Sequence, residues 1–518
     1  MAMEHPGEGQ LGWFYWRALA AMPANVAVID ISQPSPRTYT IADIDRLMSQ
    51  VANVLAAAGL RPGDRIGLGL SNRTEFLAAM FGAMRVGLVP VPLNIKQNED
   101  VISYILSDSG AKAALIEPAV NPRLTTAAAA IPLKFAFGDA PAGWQDFWPL
   151  VEAASPDFSP LPLSPEAPAF HPYTSGSTGR PKGMTLTHRN TTWLIETRQK
   201  YWPGNASQRG LVAAPLYHKN AMTVGFKPKL RAGGSIVLMG GFNARAYLQA
   251  IADYRVTEAG GVPTMFSLLL KERDLIETLD FSSLQSLRLG SAMAHGELMD
   301  AIARVFRAPS AQGYGLTETA GGCTSPPLDG QPVPPASVGT VMPGTEVKLV
   351  GPNGEERDDI GEFWIKSPAN TPGYHNLPEV NAERFVNGFL RTGDILSKDK
   401  DGFFYFEGRI DDMFNCGGEN VYPAEVENVL LRHPAVVQAV VTPHSHPTKG
   451  ECPVAAVVLN DPTVTEAELK AFALANGPAY VHPRRILIKD VLPLTGVNKV
   501  DLRMVKPELD ALSLEGGA

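Results

Sequence analysis

Apolar residues at Ile44, Leu47, Met48, Val51 and Leu55 recur along residues 42–58 at a spacing that keeps one helical face apolar until Gly59 interrupts it. The spacing predicts an amphipathic helix. Downstream, residues 65–70 form a short apolar run, 76–86 read as a second helix, and 88–93 form another short apolar run. Short buried strands alternating with helices predict a parallel sheet, because parallel strands are covered on both faces and joined by helical crossovers. The alternation continues with strands at 210–214, 235–239 and 286–289 and helices at 245–254 and 296–306, so the fold class is α/β. Past Ser325, five prolines at 326, 327, 332, 334 and 335 precede strand-like pieces at 346–350 and 362–366, which predict a β-rich subdomain. Beyond Arg409 a helix (424–432), two strands (436–441 and 454–459), a helix (465–476) and a strand (485–488) predict a small α+β unit. The boundary falls near Asp411, giving an N-terminal domain of residues 1–410 and a C-terminal domain of residues 411–518.

The chain has 518 residues, 45% of them hydrophobic and 19% charged, which is globular composition and excludes wholesale disorder, a collagenous chain or a disulfide scaffold. A net charge of -8 argues against nucleic acid as a partner. Cys323, Cys416 and Cys452 are too far apart in sequence for a zinc or redox pair and fit a reducing compartment. Residues 1–16 show no basic stretch followed by a long apolar run, so no secretory signal is expected. The most apolar neighbourhood, 76–93, is broken by Gly82, Arg85, Gly87 and two prolines, so no membrane span is expected and the protein should be soluble and cytoplasmic. Gly67-Leu68-Gly69 looks like the start of a dinucleotide fingerprint, but Asn72 stands at the third glycine position, and a strand and turn is the reading taken. A homo-oligomer is compatible with the sequence, which does not specify one.

The densest chemical signal is Tyr173-Thr174-Ser175-Gly176-Ser177-Thr178-Gly179-Arg180-Pro181-Lys182-Gly183. Small residues let backbone N–H groups and hydroxyls wrap phosphate oxygens, and the lysine adds positive charge. A Walker loop is excluded, because no Gly-Lys pair occurs in the chain. A flexible Ser/Gly loop is the alternative.

This segment resembles the signature loop of the adenylate-forming superfamily, which includes acyl-CoA synthetases, luciferases and peptide-synthetase adenylation domains; within it the chain is most similar to bacterial acyl- or aryl-CoA ligases. Further motifs follow in the family's order: Tyr314-Gly315-Leu316-Thr317-Glu318, Arg391-Thr392-Gly393-Asp394, Gly408-Arg409-Ile410-Asp411-Asp412, and Pro493-Leu494-Thr495-Gly496-Val497-Asn498-Lys499. The resemblance implies ATP, Mg²⁺ and CoA as co-substrates and cofactor, and a small-molecule carboxylic acid as the partner. It implies Lys499, Glu318, Thr317 and Lys182 as catalytic, with Glu318 holding the metal. Thr174, Ser175, Gly176, Ser177, Thr178 and Gly179 would bind ATP phosphates; Ser291, Ala292, Gly313 and Tyr314 would flank adenine; Asp394 would hold the ribose, and Arg409 would reach ribose or phosphate oxygens. It further implies a C-terminal domain that rotates about Asp411 and presents Gly417 and Gly418 to the CoA arm.

The chemistry is consistent with those assignments. Joining a carboxylate to the α-phosphate of ATP brings two anions together, and fixed cations lower that barrier. Lys499 can bridge them, while magnesium prefers sparse carboxylate ligation plus phosphates. A carboxylate such as Asp394 accepts two hydrogen bonds from vicinal hydroxyls. The alternatives are a turn residue for Asp394, plain surface acids for Asp411 and Asp412, and a structural histidine for His218, which matches a family position beside the acyl and thiol channels.

The acyl pocket is expected from Tyr217, His218, Val262, Met293 and Gly315 and their neighbours, mostly apolar or small, fitting an aryl or medium-chain acid. Lys219 either meets a second substrate carboxylate or points to water. Two departures from the family pattern stand out. Asn498 replaces a common glycine, a tolerated change, and Val481-His482 replaces a more usual basic residue, which weakens the case for CoA more than the case for adenylation. The expected activity is an AMP-forming carboxylic acid:CoA ligase; an amide-forming ligase and a silent nucleotide-binding homologue are the rivals.

Overall fold

The computed structural model describes residues 5–174, 180–218, 221–294, 296–496 and 498–514, without the side chains of residues 223 and 224. The first predicted helix spans Ile41–Ala57. Thr40 caps it: its hydroxyl accepts from the Asp43 N–H at 3.1 Å, and the Asp43 carboxylate accepts from the Thr40 N–H at 2.9 Å, satisfying donors that the first turn leaves unpaired. Its apolar face packs against the second helix, Thr74–Arg85. A Cβ on Gly82 would lie 2.7 Å from the Met48 carbonyl oxygen, so the glycine that interrupts the apolar run is what lets the two helices approach.

Arg85, the charge in that run, is fully buried. Its guanidinium donates to Gly12 O (3.2 Å), Asp45 O (3.1 Å), Ser49 Oγ (2.6 Å) and the Tyr15 hydroxyl (2.8 Å), pairs with the Asp45 carboxylate, and lies 3.7 Å from the Trp13 ring centroid. Its charge and its donors are thus answered, as burial requires.

The predicted strands assemble into two parallel sheets. One runs, in spatial order, Ser310–Gln312, Ser286–Leu289, Glu258–Gly261, Arg209–Val212, Ser235–Leu238 and Val26–Asp30, all parallel, with Arg37–Thr40 antiparallel at the edge. The other runs Val89–Pro92, Arg65–Gly69, Ala113–Ile116, Leu133–Ala136 and Gln145–Asp146. Gly67 and Gly69 sit inside a buried strand against Leu106 and Leu124, as the strand reading of that segment requires. The proline-rich stretch leads into an antiparallel sheet built on Glu346–Val350, Ile360–Lys366, Phe389–Lys398 and Phe404–Arg409.

A separate C-terminal domain has its own core, including Phe414, Val426, Leu430, Val457 and Leu469. Its central hairpin is longer than the apolar pattern predicts: Val436–His446 pairs with Gly450–Leu459, carrying Pro443 opposite Pro453 and His444 opposite Cys452. Prolines and polar residues hide these rungs from periodicity. Helices Pro423–Leu431 and Glu466–Asn476 and the strand Ile486–Lys489 complete it. Among the described residues no helix is long and apolar enough to cross a membrane.

Removing one partner of a buried ion pair strands the other charge. Asp45→Ala is therefore expected to destabilise the protein by about 3 kcal/mol, read as a lower midpoint in chemical denaturation.

Candidate active site

In the large parallel sheet the strands Arg209–Val212, Glu258–Gly261, Ser286–Leu289 and Ser310–Gln312 end at one edge, and the segments that follow them turn over a common cavity of about 230 Å³. Parallel register forces this convergence, because every crossover returns to the same side before the next strand begins. Of the residues expected there, His218, Ser291, Gly313, Tyr314, Gly315 and Thr317 line the cavity. Asn72 braces the segment behind it: its side chain accepts from Leu216 N at 2.7 Å and donates to Ala214 O at 2.9 Å and Met239 O at 3.2 Å, tying the end of the second sheet to the loop that carries His218. Ser291 holds a left-handed φ of 66°, and a Cβ on Gly315 would lie 2.7 Å from Gly321 O, so this turn closes only on glycine.

The flanks of the phosphate-loop motif are paired. Thr174 lies opposite Lys182 and Tyr173 opposite Gly183 in an antiparallel ladder, which brings the two ends of the loop together; residues 175–179, and with them Ser175, Gly176, Ser177, Thr178 and Gly179, lie outside the described residues, as does Lys219. Tyr173 is anchored by a 2.6 Å hydrogen bond from its hydroxyl to Asp108 Oδ2. The same strand, Lys182–Thr187, pairs with Gly373–Tyr374, and the Tyr374 hydroxyl donates to Glu318 Oε1 at 2.8 Å. Glu318 O in turn accepts from Thr371 N at 2.7 Å. Tyr374 thus couples the turn bearing Thr317 and Glu318 to the strand bearing Lys182, a link with no signature in the sequence motifs.

Asp394 is buried, and its Oδ2 accepts a 2.5 Å hydrogen bond from Tyr314. Its Oδ1 lies 2.9 Å from Arg409 Nη1 as an ion pair whose angle does not make a hydrogen bond, leaving a buried acceptor without a donor. Burial pushes the Asp394 carboxyl up from its ordinary range, against the pull of Arg409 and Tyr314.

The C-terminal domain reaches the same place. The Tyr217 hydroxyl donates to Gly496 O at 3.3 Å, and the turn continues through Thr495 N donating to Lys499 O at 2.7 Å. Asn498 takes a left-handed φ of 61°, a conformation that asparagine tolerates better than most residues. Burial lowers the Lys499 ammonium and Arg409 lowers it further, against Asp394. Burial, then the positive charge of Lys499, pushes His218 down to about 4.

Other expected residues sit elsewhere. Val262 is buried in the core against the helix Pro263–Leu269, Met293 packs beside the Tyr314 cluster, Ala292 is exposed, and Tyr217 serves the contact with Gly496. Gly417 and Gly418 form an exposed hairpin turn with φ of 64° and 100°, and Asp411 lies in the exposed turn Ile410–Asp412. None of these lines the cavity.

The sequence reading missed the far end of the cavity, where Arg198, Lys229, Glu258 and Arg288 meet: Lys229 Nζ lies 2.8 Å and Arg288 Nε 3.4 Å from the Glu258 carboxylate. Burial raises Glu258, but Arg288 and Lys229 outweigh it and hold the carboxyl below its usual range. Charged residues inside short apolar strands, Glu258 and Arg288, were the available signal.

Residues 15–375 match the family described as AMP-binding enzyme, and residues 425–499 match its C-terminal domain. A feruloyl-CoA synthase of Amycolatopsis is 36% identical over 89% of this chain and 92% of its own. The ATP-bound structure of MatB from Rhodopseudomonas palustris superposes with a TM-score of 0.87 at 28% identity, covering 96% of this chain and 99% of that one. The amide bond synthetase McbA of Marinactinospora thermotolerans superposes with a TM-score of 0.84 at 25% identity, covering 96% and 99%.

Because Lys499 helps hold His218 neutral, Lys499→Ala is expected to raise the midpoint of the His218 imidazole above about 4, read by NMR of histidine-labelled protein. An unchanged midpoint would show that Lys499 does not lie over the cavity in solution.

Proposed function

The chain belongs to the AMP-binding enzyme family, among its acyl- and aryl-CoA ligases, and from that membership we propose that it joins a carboxylic acid to CoA at the expense of ATP through an acyl-adenylate. The observation that carries the reading is a chain of contacts beside the cavity: Tyr314, which lines it, holds Asp394, Asp394 pairs with Arg409, and Lys499 of the other domain feels both of these charges and acts on His218 in the cavity lining. In the first step a carboxylate oxygen bonds to the α-phosphorus and pyrophosphate leaves; in the second the CoA sulfur bonds to the acyl carbon and AMP leaves.

The residues suit these steps. The orphaned Asp394 Oδ1 offers an acceptor to a ribose hydroxyl, and Arg409 neutralises the carboxylate behind it. Lys499, half-buried, supplies a cation where acid and α-phosphate meet, and partial burial strengthens its attraction for both anions. Neutral His218 adds no competing charge. Lys182 and the hydroxyls beside it would hold the outer phosphates.

Glu318 fits a magnesium ion: Tyr374 engages its Oε1 only, no cluster of three ligating side chains exists among the described residues, and a single carboxylate plus phosphates is the ligation magnesium favours. Bound there, the ion would neutralise phosphate charge. Rotation of the C-terminal domain about Asp411 would withdraw Lys499 and bring Gly417 and Gly418, whose left-handed φ values keep the turn bare of side chains, to the thiol arm. The size of the cavity suits an aryl or medium-chain acid.

Acid- and CoA-dependent release of AMP is expected from the wild type, reduced by about 10²-fold or more in Lys499→Ala. Acid-dependent pyrophosphate release with amines but not CoA as acceptor would instead support an amide-forming ligase; no release with any acid would leave a nucleotide-binding homologue.

A further inference from the structure

Residues 371–384 belong to none of the sequence motifs, yet they touch three of them. Thr371 N donates to Glu318 O at 2.7 Å and so holds the backbone of the turn Thr317–Thr319. Gly373 and Tyr374 pair with Thr185 and Met184, and His375 N donates to Gly183 O at 2.8 Å, so this strap runs along the strand that begins at Lys182. At its other end Arg384 Nη2 donates to Thr392 O at 3.1 Å, two residues before Asp394.

Tyr374 is the residue through which the strap reaches a side chain of the site. It is buried, and Asn381, on the helix Pro378–Arg384, grips its backbone from both sides: Asn381 Oδ1 accepts from Tyr374 N at 2.7 Å and Asn381 Nδ2 donates to Tyr374 O at 2.8 Å. Strand pairing and this grip together deliver the Tyr374 hydroxyl to one point, Glu318 Oε1, at 2.8 Å. A buried tyrosine hydroxyl needs an acceptor, and elsewhere in the chain a backbone carbonyl meets that need: Tyr247 donates to Gly260 O at 2.9 Å. At Tyr374 the acceptor is instead one oxygen of a half-buried carboxylate. A glutamate has three side-chain torsions, and an ion that binds it unaided must bring them to rest; a hydroxyl held by a strand has done so beforehand.

Resting on the ligase reading above and on Glu318 as its metal-bearing carboxylate, we propose that Tyr374 is a positioning residue for the metal: its hydroxyl occupies Glu318 Oε1, fixes the side chain, and leaves Oε2 to the ion. Because the same strap pairs with the strand of Lys182, the carboxylate that meets the ion and the lysine that meets the outer phosphates are set in one frame. Loss of the hydroxyl frees the carboxylate to turn, and the ion must then bind a ligand that is not prearranged.

The test reads nucleotide affinity rather than turnover. Binding of α,β-methylene-ATP to the full chain is measured by calorimetry with Mn²⁺, standing in for Mg²⁺, and again in EDTA; the ratio of the two dissociation constants is the metal's contribution. Tyr374→Phe removes one atom and keeps the ring, and it is expected to cut that ratio by about 10-fold while the metal-free affinity stays within about 2-fold. Tyr374→p-aminophenylalanine, which puts a donor back on the ring, should recover most of the lost ratio; thermal midpoints show that both variants are folded. Since the tyrosine acts through Glu318, adding Tyr374→Phe to Glu318→Gln should remove nothing further. A ratio unmoved in Tyr374→Phe, an equal loss with and without Mn²⁺, no recovery with the amino group, or a further loss on top of Glu318→Gln overturns the positioning role and leaves the ligase reading standing. A wild type that binds the nucleotide no tighter with Mn²⁺ overturns the metal role of Glu318 and the proposal with it, and one that binds no nucleotide overturns the ligase reading as well.

Discussion

The parallel register of the strands Arg209–Val212, Glu258–Gly261, Ser286–Leu289 and Ser310–Gln312 is the constraint on which the site depends. Each strand's backbone groups are spent on its neighbours, so the chain is free to diverge only past the strand ends, and those ends are aligned within a residue or two. The His218 loop, the Ser291 turn and the Gly313–Thr317 segment are therefore delivered to one edge without any of them contributing to the sheet's stability. What these segments need locally is permission to bend. Gly315, packed against the Gly321 backbone, supplies it on one side, and Asn72, bonded to backbone on both sides of the loop that leads to His218, fixes it on the other.

A second order of organisation is electrostatic. Asp394 is buried far enough for its charged form to be disfavoured, yet Tyr314 and Arg409 pull it back toward ionisation. Lys499 is subject to the opposite balance, lowered by burial and Arg409 and supported by Asp394. The two groups thus lie in one field although they belong to different domains. Tyr217 to Gly496 is a long hydrogen bond at 3.3 Å, so the attachment of the C-terminal turn rests on a modest direct contact plus that shared field. An attachment of this kind weakens or strengthens as soon as the charges around it change.

Much of this was legible in the residues. Helix 41–57 declared itself by spacing and by the Thr40–Asp43 cap, and the inner strands by short apolar runs, because core burial is what hydrophobic period records. The motifs located His218, Glu318, Asp394 and Lys499, since each needs a particular side chain in a particular local turn. What the sequence did not disclose were partnerships across long separations. Tyr374 reaches Glu318 through a strand pairing, and Glu258 meets Lys229 through packing of a helix on the sheet; neither leaves a local pattern. The hairpin Val436–His446/Gly450–Leu459 was read short because Pro443, His444 and Pro453 obey ladder geometry while breaking the apolar alternation. Val262 and Met293, expected in the acyl pocket, pack their apolar side chains against neighbouring cores.

Two arginine environments in the same fold differ in how far they are closed. Around Arg85 the guanidinium is closed in: Gly12, Asp45, Ser49 and Tyr15 take its donors, the Trp13 face covers it, and no volume remains for a ligand. Such a group fixes helices to one another. Around Arg288 the arrangement is open. It leans on Glu258, which Lys229 also occupies, all three line the cavity, and the Lys229 stem packs over Gly210, so here the charges hold helix to sheet while one guanidinium keeps contact with solvent.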